Sequence, residues 1–118
     1  MLGIIPRPLH AVLDYLWGVA HFMAPELLGY ADDEAANLYS KVRGGSMIPI
    51  SLMTRYELGL VKVIPFNAHL AMDLLGALAG LASPWLLGFA KNEKALTAAI
   101  GFSLFELGAV LLSKRDKS

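Results

Sequence analysis

The sequence contains no cysteine and no excess of charge of either sign. Without cysteine, disulfides, thiol nucleophiles and cysteine-based zinc or iron–sulfur sites are excluded. Ten basic residues balance ten acidic ones, so no surplus is available to neutralise a phosphate backbone, and nucleic acid is not an expected partner. The chain also lacks a nucleotide-binding, phosphate-binding or nucleophile motif, and we do not expect it to be an enzyme.

Charged residues are scarce, whereas apolar residues are abundant. Charged residues make up 17% of the 118 residues, against about 25% in an ordinary soluble domain. Apolar residues make up 56%, against about 45–50%. Eleven glycines and six prolines accompany them, and both residue types are commoner in membrane helices than in soluble ones. The length suits one domain. We therefore predict a single membrane domain over residues 1–118, with the lipid bilayer as a partner.

Two long apolar segments lie in the second half. Residues 70–90 contain Asp73 as their single ionisable residue, and residues 95–113 contain only Glu106. About twenty apolar residues span the hydrocarbon core of a bilayer, so both segments are predicted to be transmembrane helices. The short polar connection between them, residues 91–94, predicts an antiparallel hairpin.

The first half carries more charge. Residues 9–30 and 45–64 are helical in pattern but contain several ionisable residues, each of which costs about 2.5–3.5 kcal/mol at the centre of a bilayer. An internal repeat favours the same assignment for both halves, because residues 10–31 align without a gap on residues 69–90.

Several identical pairs support the repeat: His10 and His69, Asp14 and Asp73, Pro25 and Pro84, and Gly29 and Gly88. Further along, residues 54–59 resemble residues 103–108, which pairs Glu57 with Glu106 and assigns ten extra residues to the first copy. We predict an all-α integral membrane four-helix bundle, built from two tandem helical-hairpin repeats at about 8–64 and about 65–113.

Both copies keep polar residues inside apolar segments, and these form a predicted intramembrane layer of His10, Asp14, Glu57, His69, Asp73 and Glu106. A histidine and an aspartate four positions apart lie on one helix face. At 1.5 Å per residue the two aspartates lie about 7 Å deep, closer to the termini than to the midplane. Glu106 has no basic residue at the positions that match Arg55 and Lys62, so we expect it to be the neutral carboxyl group.

The favoured interpretation of this layer is structural, with helices hydrogen-bonded to one another. A proton or ion pathway is an alternative, since ionisable residues in membranes are often functional. Two histidines and four carboxylates could also hold a metal pair, and two histidines could bind a haem. Because no further motif supports either group, no cofactor and no metal are predicted. Thr54 and Glu57 also fit a capping box, which leaves open a helix that restarts at Thr54.

A second predicted feature is a contact between the first and third helices. Gly76 and Gly80 have the GxxxG spacing that allows helices to approach closely, and they lie on the face of His69 and Asp73. The equivalent positions in the first copy are Trp17 and His21. We predict that Trp17 packs near the Gly76/Gly80 groove; the alternative is that Gly80 faces lipid or another chain. His21 is given no role.

The tripeptide Ser83-Pro84-Trp85, followed by Leu-Leu-Gly-Phe, resembles the signature of the SPW-repeat family. These are small prokaryotic membrane proteins named for a Ser-Pro-Trp motif in the first helix of a two-helix repeat. The first copy departs from the motif and has Ala24-Pro25-Glu26, which keeps only the proline. The resemblance implies an integral membrane protein without an established activity, and it carries over no catalytic residues.

We expect a non-catalytic scaffold or accessory subunit that associates with itself, as a homo-oligomer, or with a larger membrane complex. The alternative functions are a proton or ion relay and a small transporter that uses the polar layer. A soluble helical bundle with an unusually apolar core is a further alternative. The predicted location is the cell membrane, and five basic residues on the side of the termini against four on the other favour cytoplasmic termini.

Overall fold

A computed structural model describes residues 3–115, and four helices account for most of them. The helices are α1 (Arg7–Leu28), α2 (Glu34–Leu52), α3 (Phe66–Leu86) and α4 (Glu93–Leu112). No strand of a sheet occurs among the described residues; only two isolated backbone bridges do. The prediction of an all-α protein with four helices is confirmed.

The second helix of each hairpin begins at a side-chain cap. Asp33 Oδ1 accepts a hydrogen bond from the Ala36 N–H, and Asn92 Oδ1 accepts one from the Ala95 N–H, both at 3.2 Å. Such caps satisfy N–H groups that have no partner inside the helix. The two capping residues also bond to each other, because Asn92 Nδ2 donates to Asp33 Oδ2 at 3.1 Å. This contact ties the two hairpins together at one end of the bundle.

A glycine with positive φ follows the first helix of each hairpin, directly after α1 and one residue beyond the cap of α3. Gly29 has φ 84° and Gly88 has φ 79°, which is a conformation that glycine adopts without steric cost. In each case the next residue donates its N–H to the carbonyl of the helix proline: Tyr30 to Pro25 at 2.9 Å and Phe89 to Pro84 at 2.8 Å. The chain then turns sharply into the following helix, so each pair of helices is antiparallel.

One constant offset relates the hairpins along their whole length. The two mutually bonded caps, Asp33 and Asn92, are 59 positions apart, and the same offset relates the starts of α2 and α4. The backbone bridges obey it too, since Ile5 pairs with Ser113 and Ile64 pairs with Thr54. The alignment of residues 54–59 with 103–108 is therefore wrong. The counterpart of Glu106 is Met47, and α2 contains no ten-residue insertion.

The second helix lies earlier in the chain than predicted. The sequence pattern placed it at residues 45–64, whereas α2 covers Glu34–Leu52. Residues 53–65 form turns that connect the hairpins, and no helix begins at Thr54. The cap at Asp33 and the acidic residue Glu34 in the first turn start the helix in a polar stretch that looked like a loop.

The helices pack mainly within their own hairpins, α1 against α2 and α3 against α4, with a smaller contact between α1 and α4. Gly44 lets α1 and α2 approach closely. A Cβ atom at Gly44 would lie 2.3 Å from the Phe22 nitrogen and 2.6 Å from the Gly18 oxygen, both backbone atoms. No side chain larger than hydrogen fits there without moving a helix.

The predicted contact of Trp17 with the Gly76/Gly80 groove does not form. A Cβ atom at Gly76 would meet the guanidinium group of Arg43, and one at Gly80 would meet the hydroxyls of Ser103 and Tyr39. The guanidinium group lies over the Trp17 ring at 5.0 Å, so Arg43 separates Trp17 from the groove. The glycines make room for polar side chains of α2 and α4 rather than for an indole.

The interior of the bundle is unusually polar and its surface unusually apolar. The largest fully buried side chains include all three histidines, His10, His21 and His69, and buried groups also include Asp14, Asp73 and Glu106. Large apolar side chains point outward from every helix, among them Leu16 at 62%, Leu38 at 63%, Leu75 at 69% and Leu104 at 54% exposure. A water-soluble domain has the opposite distribution.

Within residues 3–115, one helix is both long and apolar enough to cross a membrane, namely α4 at Glu93–Leu112. The other long apolar segment of the second half, which forms α3, does not meet that test. The apolar run at residues 70–90 continues past the end of α3 at Leu86, and the helix itself begins with polar residues that include Asn67 and His69. A membrane bundle is thus supported by one helix on these criteria.

Candidate functional site

Four ionisable side chains from α1 and α3 meet at the end of the bundle near the termini. His10 Nε2 lies 3.2 Å from Asp14 Oδ1 and 3.2 Å from Asp73 Oδ2. His69 Nε2 lies 2.9 Å from Asp14 Oδ2 and 3.1 Å from Asp73 Oδ2. Each carboxylate therefore lies between two imidazole rings, one from each hairpin. We call these four residues the His–Asp cluster.

Local sequence explains how each helix presents its pair. His and Asp stand four positions apart in α1 and again in α3, so both side chains project from one face of the helix. Pro6 and Pro65 begin the two helices, which places each histidine on the first turns at the same height. The two His–Asp pairs are 59 positions apart, like the rest of the two hairpins, and the cluster lies between the hairpins.

A hydroxyl group holds the outer nitrogen of each histidine ring. His10 Nδ1 lies 2.6 Å from Ser113 Oγ, and His69 Nδ1 lies 2.8 Å from Thr54 Oγ1. Each hydroxyl is also positioned to donate to a carbonyl one turn earlier: Ser113 to Ala109 at 2.5 Å and Thr54 to Ile50 at 2.7 Å. A hydroxyl has one proton, so in this arrangement it accepts from Nδ1–H.

This assignment fixes the role of the inner nitrogens. With Nδ1 protonated on both rings, the two Nε2 atoms are the ones that face Asp14 and Asp73. Each Nε2 then either carries a second proton or offers a lone pair. In both His10 and His69, Nε2 is therefore the ring atom that faces the two carboxylates.

Two aromatic side chains cover the cluster, Tyr56 from the connecting segment and Phe66 from the start of α3. Tyr56 donates its hydroxyl to Asp14 Oδ2 at 3.1 Å, and Phe66 packs edge-on against His10 at 5.2 Å between ring centroids. Burial and the neighbouring Asp14 carboxylate raise the pKa of Tyr56 well above its usual value, so it remains a phenol that donates. His10 and His69 are fully buried, at 0% exposure, which separates the cluster from solvent.

Glu106 lies beside the cluster and is paired, not isolated. Arg43 from α2 donates to Glu106 Oε1 at 2.5 Å, so the expectation that Glu106 has no cation is wrong. A cavity of about 10 Å³ lies between Glu106, Asp14 and Asp73, which is about the size that holds one water molecule. The other carboxylate oxygen of Glu106 has no hydrogen-bond partner among the described residues.

Glu57 lies outside this layer, which is a correction to the predicted set of six. It belongs to the connecting turns and forms an exposed ion pair with Arg7, at 3.0 Å from Arg7 Nε to Oε1. The Arg7 guanidinium lowers the pKa of Glu57 below its usual value. The structure therefore brings together five of the predicted residues, His10, Asp14, His69, Asp73 and Glu106, and leaves Glu57 at the surface.

The Ser-Pro-Trp segment has a local structural role in α3. Pro84 has no N–H, so the carbonyl of Gly80 lacks the helical partner it would otherwise have. The Ser83 hydroxyl donates to that carbonyl at 2.7 Å. Trp85 points away from the bundle and is 64% exposed.

The first copy replaces this arrangement with a charged contact. Ala24 offers no hydroxyl beside Pro25, and Glu26 stands at the position of Trp85. Glu26 forms an ion pair with Lys41 of α2. The outward position is therefore aromatic in one hairpin and ionic in the other.

The sequence interpretation missed four residues that complete the site: Thr54, Ser113, Arg43 and Tyr56. The signal for the first two was present, because a hydroxyl residue stands at equivalent positions 59 apart. The alignment that matched Thr54 with Ser103 concealed it. No repeat signal exists for Arg43, whose counterpart is Phe102.

These observations define a helical bundle made of two related hairpins, with ionisable groups enclosed between them and apolar side chains outside. The chain belongs to the SPW repeat domain family, whose model matches residues 8–113. The recognition based on Ser83-Pro84-Trp85 is therefore confirmed, and the family suggests a small membrane protein. No curated protein and no solved structure matches the chain.

Proposed function

We propose that the protein is a multi-pass integral membrane protein with a non-catalytic role, as a scaffold or accessory subunit that associates with itself or with a larger membrane complex. One observation carries the membrane assignment: large apolar side chains lie outside the bundle while the buried centre holds the histidines and carboxylates. In lipid the outward residues need no cover, and inside the bundle the His–Asp cluster and the Arg43–Glu106 pair bring groups of opposite charge together.

The dimensions of the helices agree with this proposal. They contain 22, 19, 21 and 20 residues, and at 1.5 Å per residue each is roughly 28–33 Å long. The hydrocarbon core of a bilayer is about 30 Å thick. With Arg43 inside α2 rather than in a loop, the excess of basic residues on the side of the termini increases, which favours cytoplasmic termini.

The non-catalytic role is supported by how completely the polar interior is enclosed. The His–Asp cluster is covered by Tyr56 and Phe66, and the neighbouring cavity is about 10 Å³, far below the few hundred Å³ of a usual substrate site. The apolar outer surface is instead the part of the molecule offered to lipids and to other membrane proteins.

Membrane insertion is tested by extraction and by fluorescence. The protein should remain in the membrane pellet after an alkaline wash and leave it only with detergent. In liposomes, brominated lipids should quench the fluorescence of the wild type strongly, and that of Trp85→Phe, which retains only the interior Trp17, much less. Recovery of folded protein in the aqueous fraction without detergent would overturn the membrane assignment.

The scaffold role is tested by the mass of the particle extracted in a mild detergent. Native mass spectrometry should give an assembly larger than one chain, either several copies or this chain with a defined membrane protein at fixed stoichiometry. A particle that contains a single chain under every mild condition would contradict the role.

A proton relay is a second candidate, favoured by the cavity that joins Glu106 to Asp14 and Asp73. A water molecule there would connect the His–Asp cluster to the Arg43–Glu106 pair. Proton flux into liposomes should then fall in Glu106→Gln and stay unchanged in Glu57→Gln, a matched change at an exposed carboxylate. No flux above that of empty liposomes would remove this candidate.

A further inference from the structure

The four ligand atoms of the His–Asp cluster are arranged around one point. The atoms that the two histidines and two aspartates could offer all lie within 4.8 Å of one another. The four nitrogen-to-oxygen distances are 2.9–3.2 Å. Tetrahedral coordination with zinc bonds of 2.0–2.1 Å places ligand atoms roughly 3.4 Å apart. The nitrogen-to-oxygen distances are close to this spacing, and the wider pairs of the set need to move closer together around a bound ion.

The tautomers of the histidines suit a metal. Thr54 and Ser113 accept from Nδ1–H of His69 and His10, which leaves both Nε2 atoms directed at the centre of the cluster. Metal-binding histidines have this arrangement, in which the outer nitrogen donates to a neighbouring group and thereby orients the ring. Each hydroxyl comes from the opposite hairpin, so both rings are held from outside their own repeat.

The surroundings of one ring nitrogen point to the same centre. His69 Nε2 is buried and has no well-directed hydrogen bond among the described residues, although two carboxylate oxygens lie within 3.1 Å. A buried nitrogen so placed beside two carboxylate oxygens can share a cation with them. Two carboxylates with two neutral imidazoles carry a charge of minus two, which one divalent ion balances.

We propose that His10, Asp14, His69 and Asp73 form a binding site for one divalent transition-metal ion of the zinc class. Imidazole and carboxylate ligands in a tetrahedral set favour zinc and related ions. Magnesium and calcium are disfavoured, because they require six or more oxygen ligands, including water. All four positions are filled by protein, so the site is structural and links α1 of one hairpin to α3 of the other. The proposal goes beyond the scaffold role and does not depend on it.

The experiment is metal analysis of protein purified with a tag that contains no histidine. After incubation with Zn²⁺ and removal of excess ion, the wild type should retain about one zinc per chain, and Co²⁺ in its place should give the visible absorption of a tetrahedral site. His69→Gln and Asp73→Asn should retain none. His21→Gln should bind as the wild type does, since His21 is a buried histidine outside the cluster.

The hydroxyl groups provide a second arm that does not remove a ligand. Thr54→Val should weaken zinc binding about 10–100-fold. Thr54→Ser keeps the hydroxyl and should bind zinc as the wild type does. If the ligand variants fail to fold, the wild type alone still decides the matter: Zn²⁺ should raise its melting temperature and a chelator should reverse the rise. A wild-type protein that retains no zinc and shows no such shift overturns the proposal and leaves the cluster balanced by protons.

Discussion

Thr54 and Ser113 occupy equivalent positions in the two hairpins, and each binds a histidine that belongs to the other hairpin. Thr54 Oγ1 lies 2.8 Å from Nδ1 of His69, and Ser113 Oγ lies 2.6 Å from Nδ1 of His10. The hydroxyls follow the ends of α2 and α4, so the last turn of each hairpin fixes the first turns of its partner.

Removing one hydroxyl should destabilise the whole bundle. Thr54→Val keeps the shape of the side chain but leaves the buried Nδ1–H of His69 without its acceptor, at a cost of about 1–3 kcal/mol. Chemical unfolding of the detergent-solubilised protein measures this difference. Thr54→Ser retains the hydroxyl and should lose much less, and an equal loss in both variants would show that the hydrogen bond is not responsible.

Gly44 should tolerate no side chain. Gly44→Ala places a Cβ atom 2.3 Å from the backbone of α1, and separating α1 from α2 should cost about 3 kcal/mol or more. Gly101→Ala in α4 is the control, because no atom lies within 4 Å of its Cβ position, and its effect should stay within about 1 kcal/mol. Melting temperatures of the two variants provide the comparison; similar values would contradict the close helix approach.

Arg43 and Glu106 should behave as a coupled pair. Arg43→Met or Glu106→Met alone leaves an uncompensated buried charge and should cost about 3–5 kcal/mol. The double variant removes both charges and should be much more stable than the sum of the single losses suggests. A double-mutant cycle of unfolding free energies measures the coupling, and strict additivity would argue against the ion pair.

The Ser83 hydroxyl should contribute to the free energy of unfolding only when residue 84 is proline. Ser83→Ala leaves the Gly80 carbonyl without a donor and should cost about 1 kcal/mol. In a Pro84→Ala background the N–H at position 84 supplies the missing helical hydrogen bond, and the same serine substitution should then cost little. Unfolding free energies of the four proteins test this, and an equal cost of Ser83→Ala in both backgrounds would contradict it.

The Arg7–Glu57 pair should contribute a small, pH-dependent stability. Arg7 lowers the pKa of Glu57 below its ordinary value of 4.5, so the contribution is full at pH values above 4.5 and disappears as the pH falls through the lowered pKa. Because both side chains are exposed, Glu57→Gln should cost no more than about 1 kcal/mol near pH 7. Thermal unfolding of both proteins across acidic pH should show the difference vanish; a difference that grows would contradict it.

The four-helix architecture and four of the cluster residues could be predicted from sequence because they repeat. His10, Asp14, His69 and Asp73 share one gapless alignment, and their helical spacing places each pair on one face. The same alignment pairs Gly29 with Gly88, and both have positive φ just after the first helix of their hairpin.

The second helix was misplaced because its sequence is locally misleading. Residues 34–45 are polar enough to resemble a loop, but the cap at Asp33 starts a helix there, and Gly44 and Arg43 pack it against α1 and α4. Glu57 was assigned to the interior because a short match of six residues outweighed the constant 59-residue offset. A short similarity cannot establish register when its neighbours differ.

The two hairpins can no longer replace each other. Where α1 carries Trp17 and His21, α3 carries Gly76 and Gly80. The His21 ring stacks on Phe102 of the second hairpin at 4.3 Å between centroids. The guanidinium group of Arg43, from the first hairpin, fills the space above Gly76. Two copies of the first hairpin would crowd the centre with indoles, and two copies of the second would leave it hollow. The two halves therefore have complementary interiors, and each hairpin fits the other rather than a copy of itself.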